Sequence, residues 1–149
     1  MGKTDESIIR KGVEKYAIRI RRYAPFEIHE IPAPKNVASF PVREVLAREG
    51  ELILKQIRSG DFTVLLDEHG KQCSSRELSG FLNQWFLTGK RTLVFLIGGA
   101  FGVDKPVRDR ADTILSLSNL TFPHQLVRLI FTEQLYRALT LLRNEPYHH

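Results

Sequence analysis

The sequence predicts an α/β protein with a mostly parallel sheet. Segments with the apolar spacing of helices alternate along the chain with short segments typical of strands. Residues 62–67 and 92–97 are nearly continuous apolar runs, which parallel sheets bury on both faces. No repeat, low-complexity tract or internal linker separates these segments, so we expect one domain over residues 1–149 with helices flanking the sheet.

The first third of the chain predicts a helix, a strand and a second helix. Thr4 is a capping hydroxyl with acids after it, and it predicts a helix that continues to about residue 23. Its inward side chains recur at helical spacing: Ile9, Val13, Tyr16 and Ile20. Pro25 ends this helix, and residues 26–31 alternate between apolar and polar as a strand with one wet face does. A second helix is expected over residues 41–57.

The middle of the chain predicts a buried strand followed by a capped helix. Residues 62–67 form the strand, and residues 68–71 are expected to be the loop at its C-terminal end. Ser74 and Glu77 have the spacing of a capping box, in which each side chain bonds the other residue's backbone N–H. The third helix therefore begins there and ends near the glycine at position 89.

The next segment predicts two more strands around a short helix. Residues 92–97 form a strand that leads into the glycine-rich loop 98–102. Asp104 is expected to cap a short helix, and residues 113–117 to form the last strand.

The last helix begins at Pro123, because a proline fits the first turn of a helix without cost. No glycine or proline interrupts the chain from there to about residue 143, and apolar side chains fall on nearly every helical face. We therefore expect this helix to be buried on two sides, by its own core and by a second subunit. Glu133 and Arg137 are four residues apart in the order that favours a helical ion pair.

Composition narrows the class of protein further. Hydrophobic residues make up 42% of the chain, which is typical of a globular protein. The longest apolar run, residues 93–97, is far too short to cross a membrane, and the polar start does not resemble a signal peptide. Cys73 is the single cysteine, so it has neither an internal disulfide partner nor the spacing of a metal site. We expect a cytoplasmic protein without a membrane segment or a bound metal.

The formal net charge is +5, and much of the excess lies on the first helix. Lys11, Lys15, Arg19, Arg21 and Arg22 form a basic cluster there. Such a cluster favours a phosphate-backbone partner, but a solvated helix face has the same composition. Charge alone leaves both interpretations open.

Ligands of open α/β sheets bind at the C-terminal ends of the strands, where three turn-rich loops are expected here. Glycines in residues 98–102 allow close backbone approach to an adenine or a ribose, although loops built only for tight turning look similar. The loop matches neither the G-x-G-x-x-G pattern nor a phosphate-gripping G-K-[ST] pattern. A pyrophosphate cofactor is therefore disfavoured.

Five segments together resemble the RlmH family, the bacterial ribosomal RNA large-subunit methyltransferases H, which are SPOUT methyltransferases. The segments are LLDEHG at 65–70, FLIGGAFG at 95–102, SLSNLTFPHQ at 116–125, EQLYRA at 133–138 and PYH at 146–148. The similarity spans nearly the whole chain. It implies a SPOUT-type α/β fold with a C-terminal trefoil knot, a departure from the rule that chains are unknotted.

The resemblance also implies a function and a set of site residues. The protein would be a homodimer that uses S-adenosylmethionine to methylate N3 of a pseudouridine in 23S ribosomal RNA, within the assembled ribosome. Cofactor contacts would come from Leu66, Gly99, Ser118, Asn119, Leu120, Thr121, Phe122 and Pro123. Arg137, Tyr147 and His148 would face the reaction centre, with the tail reaching the partner subunit's cofactor. We expect His148 to act as base or orienter and Arg137 to stabilise an anion. RNA would contact Lys11, Lys15, Arg19 and Arg22.

The chain departs from the family pattern at its start. Family members begin with an apolar strand that leads into a Gly-Lys pair, whereas here Met1 directly precedes Gly2 and Lys3. The N-terminal strand is therefore expected to be missing or shortened, unless the recorded start is internal to the true gene. Two alternatives to the enzyme remain: a non-catalytic RNA-binding α/β module and a small nucleotide-binding regulator.

Overall fold

The computed structural model describes residues 7–34, 39–89 and 92–147. Five helices and three strands lie within these ranges. In chain order they are α1 (Ser7–Ile20), α2 (Val42–Leu54), β1 (Asp61–Gln72), α3 (Ser75–Leu87), β2 (Thr92–Ile97), α4 (Lys105–Arg110), β3 (Thr113–Ser116) and α5 (His124–Leu142). The predicted cap at Thr4 and the predicted loss of an N-terminal strand concern residues outside the described ranges.

The three strands form one parallel sheet in the order β2-β1-β3. Leu66 of β1 is in register with Ile97 of β2 and with Leu115 of β3. The C-terminal ends of β2 and β3 therefore flank the same point of β1. The α/β class and the parallel sheet predicted from the sequence are confirmed.

β1 continues beyond the strand predicted from the sequence. It runs through residues 68–71, which were expected to be a loop, and its register with β3 shifts between Leu66 and Lys71. Gly70 permits this irregular pairing, because a Cβ there would lie only 2.6 Å from the carbonyl carbon of Leu115. The expected loop is thus an irregular extension of the central strand.

The predicted strand at residues 26–31 is wrong. The segment is not in a strand and pairs with none of the described strands. Phe26 packs against the core and its carbonyl accepts a hydrogen bond from Arg21 Nε at 3.1 Å, while Ile28 is 44% exposed. The alternating pattern thus marks a segment that packs on one side without the hydrogen bonds of a sheet.

Successive side chains of β1 enter cores on opposite faces of the sheet, as the two-residue period of a strand requires. Val64 and Leu66 pack with side chains of α3 and α5, including Leu82 and Phe131. Leu65 packs on the other face. Its buried partners there come from α2, β2 and α4: Ile53, Leu96 and Val107.

Helix α5 has few exposed residues, and this confirms that it is buried on more than one side. Its neighbours α1 and α3 both pack against it along much of its length. The chain itself therefore supplies a large part of the covering that was expected from a second subunit. The homodimer stays a prediction.

Candidate active site

The first group of predicted site residues surrounds the C-terminal ends of the strands. Leu66 is buried at this edge of β1. Ser116, the last residue of β3, donates a hydrogen bond from Oγ to the carbonyl of Ser118 at 2.8 Å, and Ser118 Oγ accepts one from the N–H of Leu120 at 2.9 Å. These local bonds fix the start of the loop that follows β3, directly beside β1.

The remainder of that loop is more exposed and is tied to β1. Thr121 donates from Oγ1 to Glu68 Oε2 at 2.9 Å. Leu120 is 70% exposed, although it is apolar, and Asn119 and Pro123 are also exposed. Phe122 is half-buried. The structure thus places the predicted 118–123 segment as an accessible loop at the C-terminal ends of the strands, where open α/β sheets generally bind ligands.

The glycine loop after β2 closes on itself. Gly99 and Gly102 exchange backbone hydrogen bonds of 3.3 and 3.1 Å. Gly102 has a φ of +82°, a value that residues with a Cβ rarely adopt, and a Cβ on Gly98 would lie 2.7 Å from the Gly102 carbonyl oxygen. Both the turn and the close approach therefore require glycine.

A buried acid from α2 lies against this loop, and sequence reasoning missed it. Glu49 is 7% exposed, and its Oε2 is fully buried, with no hydrogen-bond partner among the described residues. A Cβ on Gly99 would lie 2.5 Å from that oxygen. Burial raises the pKa of the Glu49 carboxyl. The available signal was its phase, since Glu49 lies four residues after Val45 and four before Ile53, both of which are buried.

The second group lies on α5 and the tail. Arg137 donates to Glu133 Oε1 through Nε at 3.0 Å and through a terminal nitrogen at 2.5 Å, which confirms the predicted pair. The other oxygen of Glu133 accepts from the Gln134 amide at 2.6 Å. The bond to Glu133 raises the pKa of Arg137, so the guanidinium stays charged. Glu133 was predicted as an ion-pair partner and not as a site residue.

Tyr147 of the tail folds back onto this ion pair. The Arg137 guanidinium carbon lies 4.8 Å from the centre of the Tyr147 ring, which meets Tyr136 edge-on at 4.7 Å. The Tyr147 hydroxyl donates to Glu133 Oε1 at 3.4 Å and lies 3.4 Å from the hydroxyl of Tyr16. Burial raises the pKa of Tyr147. The structure thus brings Arg137 and Tyr147 together, whereas His148 lies outside the described residues.

The four predicted RNA-binding residues lie on one surface, three of them on α1 and Arg22 in the turn that follows it. Lys11, Lys15, Arg19 and Arg22 line a single surface hollow, together with Glu14 and the half-exposed Ile18. Arg19 also covers two aromatic rings. Its guanidinium carbon lies 5.8 Å from the Tyr16 centroid and 5.5 Å from that of Tyr136.

The described ranges contain neither a candidate metal cluster nor a helix that could span a membrane. Among these residues no group of three or more histidine, cysteine, aspartate or glutamate side chains could hold a metal ion. Likewise, no helix in the described part of the chain has the length and apolar character to cross a membrane.

The fold and these groups define a parallel α/β protein with a glycine-rich loop and a turn-rich loop at the C-terminal ends of its strands and a basic surface on its first helix. A family model described as "Predicted SPOUT methyltransferase" matches residues 1–148. The chain is 46% identical to the ribosomal RNA large subunit methyltransferase H of Christiangramia forsetii, over all of this chain and 95% of that protein. It is 45% identical to the protein of that name from Parabacteroides distasonis, with the same coverage. The protein of that name from Acetivibrio thermocellus is 42% identical over 99% of this chain and 95% of its own length. The chain belongs to the SPOUT methyltransferases and, within them, to the ribosomal RNA large subunit methyltransferase H family.

Proposed function

We propose that this protein transfers a methyl group from S-adenosylmethionine to N3 of a pseudouridine in 23S ribosomal RNA, within the assembled ribosome. The observation that carries this proposal is the similarity, over nearly full length, to relatives named ribosomal RNA large subunit methyltransferase H. The protein acts in the cytoplasm as a homodimer, and its C-terminal half forms a trefoil knot.

The strand-end loops fit an adenosyl cofactor. A Cβ on Gly98 or Gly99 would clash with the Gly102 carbonyl or with Glu49 Oε2, so glycine lets these groups lie close to the loop backbone. Among the described residues the buried Oε2 has no hydrogen-bond partner. The residues that hold the cofactor are Leu66, Gly99, Ser118, Asn119, Leu120, Thr121, Phe122 and Pro123. When bound, S-adenosylmethionine supplies an electrophilic methyl group on a sulfonium.

The second group, which contains Arg137, Tyr147 and His148, acts on the proton that leaves N3 and on the negative charge that forms on the pyrimidine ring. N3 of pseudouridine lies between two carbonyls and loses a proton during methylation, so negative charge develops on the ring. Arg137, held by Glu133, stabilises that charge. Tyr147 has a raised pKa, so it is protonated at neutral pH and donates a hydrogen bond instead of accepting a proton. His148 acts as the general base or as an orienting residue. Holding the two reactants in line lowers the activation barrier by about 7–11 kcal/mol.

The basic face of α1 holds the ribosomal RNA. Lys11, Lys15, Arg19 and Arg22 project from one hollow, so they can neutralise neighbouring phosphates. The tail carrying Tyr147 and His148 reaches the cofactor of the partner subunit in the dimer.

A methylation assay tests this function. Intact ribosomes and protein-free 23S RNA that lack the modification are each incubated with the protein and labelled S-adenosylmethionine. We expect N3-methylpseudouridine to form on ribosomes and not on free RNA, and His148→Ala to lower turnover far more than cofactor affinity. RNA binding without calorimetric binding of S-adenosylmethionine would instead support the non-catalytic module, which the basic hollow also fits.

A further inference from the structure

Burying the Glu49 side chain lowers the stability of the fold. Its side chain lies on the buried face of α2, between Val45 and Ile53, where an apolar residue would pack without an electrostatic cost. Within the described ranges its Oε2 has no hydrogen-bond partner, and a buried acceptor that loses its hydration without gaining a partner destabilises the fold. An acid in such a place destabilises the ligand-free fold, and a ligand that donates a hydrogen bond to it would offset that cost.

The position of the oxygen indicates where that ligand binds. Oε2 occupies the space where a side chain of residue 99 would begin, because a Cβ on Gly99 would lie 2.5 Å from it. Gly99 belongs to the loop at the C-terminal end of β2, where α/β sheets bind nucleosides. The backbone groups of Gly99 and Gly102 already bond each other. Oε2 is therefore a buried acceptor beside this loop with which no described residue forms a hydrogen bond.

We propose that Glu49 is a cofactor-specificity residue whose Oε2 accepts a hydrogen bond from an O–H or N–H group of the nucleoside portion of S-adenosylmethionine. The inference rests on the proposed function, since it assumes that an adenosyl cofactor binds at these loops. Nucleosides offer ribose hydroxyls and an exocyclic amine, and carboxylates are well-suited acceptors for such groups.

The proposed role predicts that loss of the acid weakens ligand binding without lowering stability, so the test has a readout besides activity. Glu49→Gln keeps the shape of the side chain and removes the buried acid, so the ligand-free variant should melt at the same temperature as the unsubstituted protein or above it. The same change replaces a charged acceptor by the weaker, neutral amide oxygen, so it should weaken cofactor binding about 5- to 10-fold. A residue with only a structural role would lower the melting temperature and leave affinity unchanged.

The experiment is calorimetric titration of the full chain with S-adenosylhomocysteine and with 5′-methylthioadenosine, which lacks the amino-acid portion. Glu51→Gln is the matched control, because Glu51 is exposed on the same helix and its removal changes the charge equally. Glu49→Asp is the second variant, since it keeps the acid but draws its oxygens away from Gly99. We expect both Glu49 variants to bind both ligands more weakly and the control to bind them normally.

The other outcomes overturn the inference in distinguishable ways. Normal binding of both ligands by both Glu49 variants would remove Glu49 from the site and leave the proposed function intact. Weaker binding of S-adenosylhomocysteine alone would exclude the nucleoside contact. If the unsubstituted protein bound neither ligand, the proposed cofactor use would fail, and this inference with it.

Discussion

Arg137→Ala tests whether the ion pair on α5 contributes to the reaction. The guanidinium is positioned by two hydrogen bonds to one oxygen of Glu133, and its side chain is 27% exposed. Removing one preorganised donor from a water-excluded site costs about 10²–10³ in turnover. Partial exposure weakens the electrostatic interaction, so we expect a loss of about 10- to 100-fold.

The assay is single-turnover methyl transfer to ribosomes that lack the modification, with saturating S-adenosylmethionine. Arg48→Ala is the matched control, since Arg48 forms an ion pair with Glu44 at the same spacing on the surface of α2. Cofactor affinity should be unchanged in both variants, because neither arginine belongs to the strand-end loops. Turnover of Arg137→Ala within about threefold of the unsubstituted rate would refute an electrostatic role of this order.

Three further predictions concern stability. Asp104→Ala removes the N-cap of α4 and should cost about 1 kcal/mol, or about 2–4 °C in melting temperature, whereas Asp109→Ala on the exposed side of α4 should cost far less. Gly50→Ala should destabilise the protein, because its Cβ would lie 2.5 Å from Asp104 Oδ1. In the Asp104→Ala background this clash is gone, so the same change should raise the free energy of unfolding by up to about 1 kcal/mol relative to Asp104→Ala alone, measured by chemical denaturation. The raised pKa of Tyr147 means that the folded state resists losing this proton, so stability falls as pH rises above the ordinary tyrosine pKa of about 10, and Tyr147→Phe should reduce that fall in urea titrations at alkaline pH.

Local signals in the sequence predicted local structure well. Ser74 and Glu77 form the predicted capping box, with backbone-to-side-chain bonds of 2.7 and 3.2 Å, because all its atoms lie within one turn. Asp104 caps α4 for the same reason. The pair of Glu133 and Arg137 is likewise set by helical spacing alone.

Features that depend on distant partners were not predictable in this way. Residues 26–31 have the pattern of a strand, but a strand also needs a neighbour in register, and sequence pattern does not specify one. The irregular continuation of β1 depends on how closely Gly70 approaches Leu115. Glu49 was missed because an acid in an apolar phase acquires a meaning only when the opposing loop is known.

Arg19 contacts both the basic hollow and the aromatic rings beneath it, and this has a consequence for how the basic surface behaves. The same guanidinium that lines the basic hollow also covers the rings of Tyr16 and Tyr136, and Tyr136 is the edge-on neighbour of Tyr147. A polyanion that draws the Arg19 guanidinium outward therefore removes its contact with the aromatic rings against which the C-terminal tail packs. By reciprocity, if the C-terminal tail leaves these rings, the free-energy cost of moving Arg19 towards a polyanion falls.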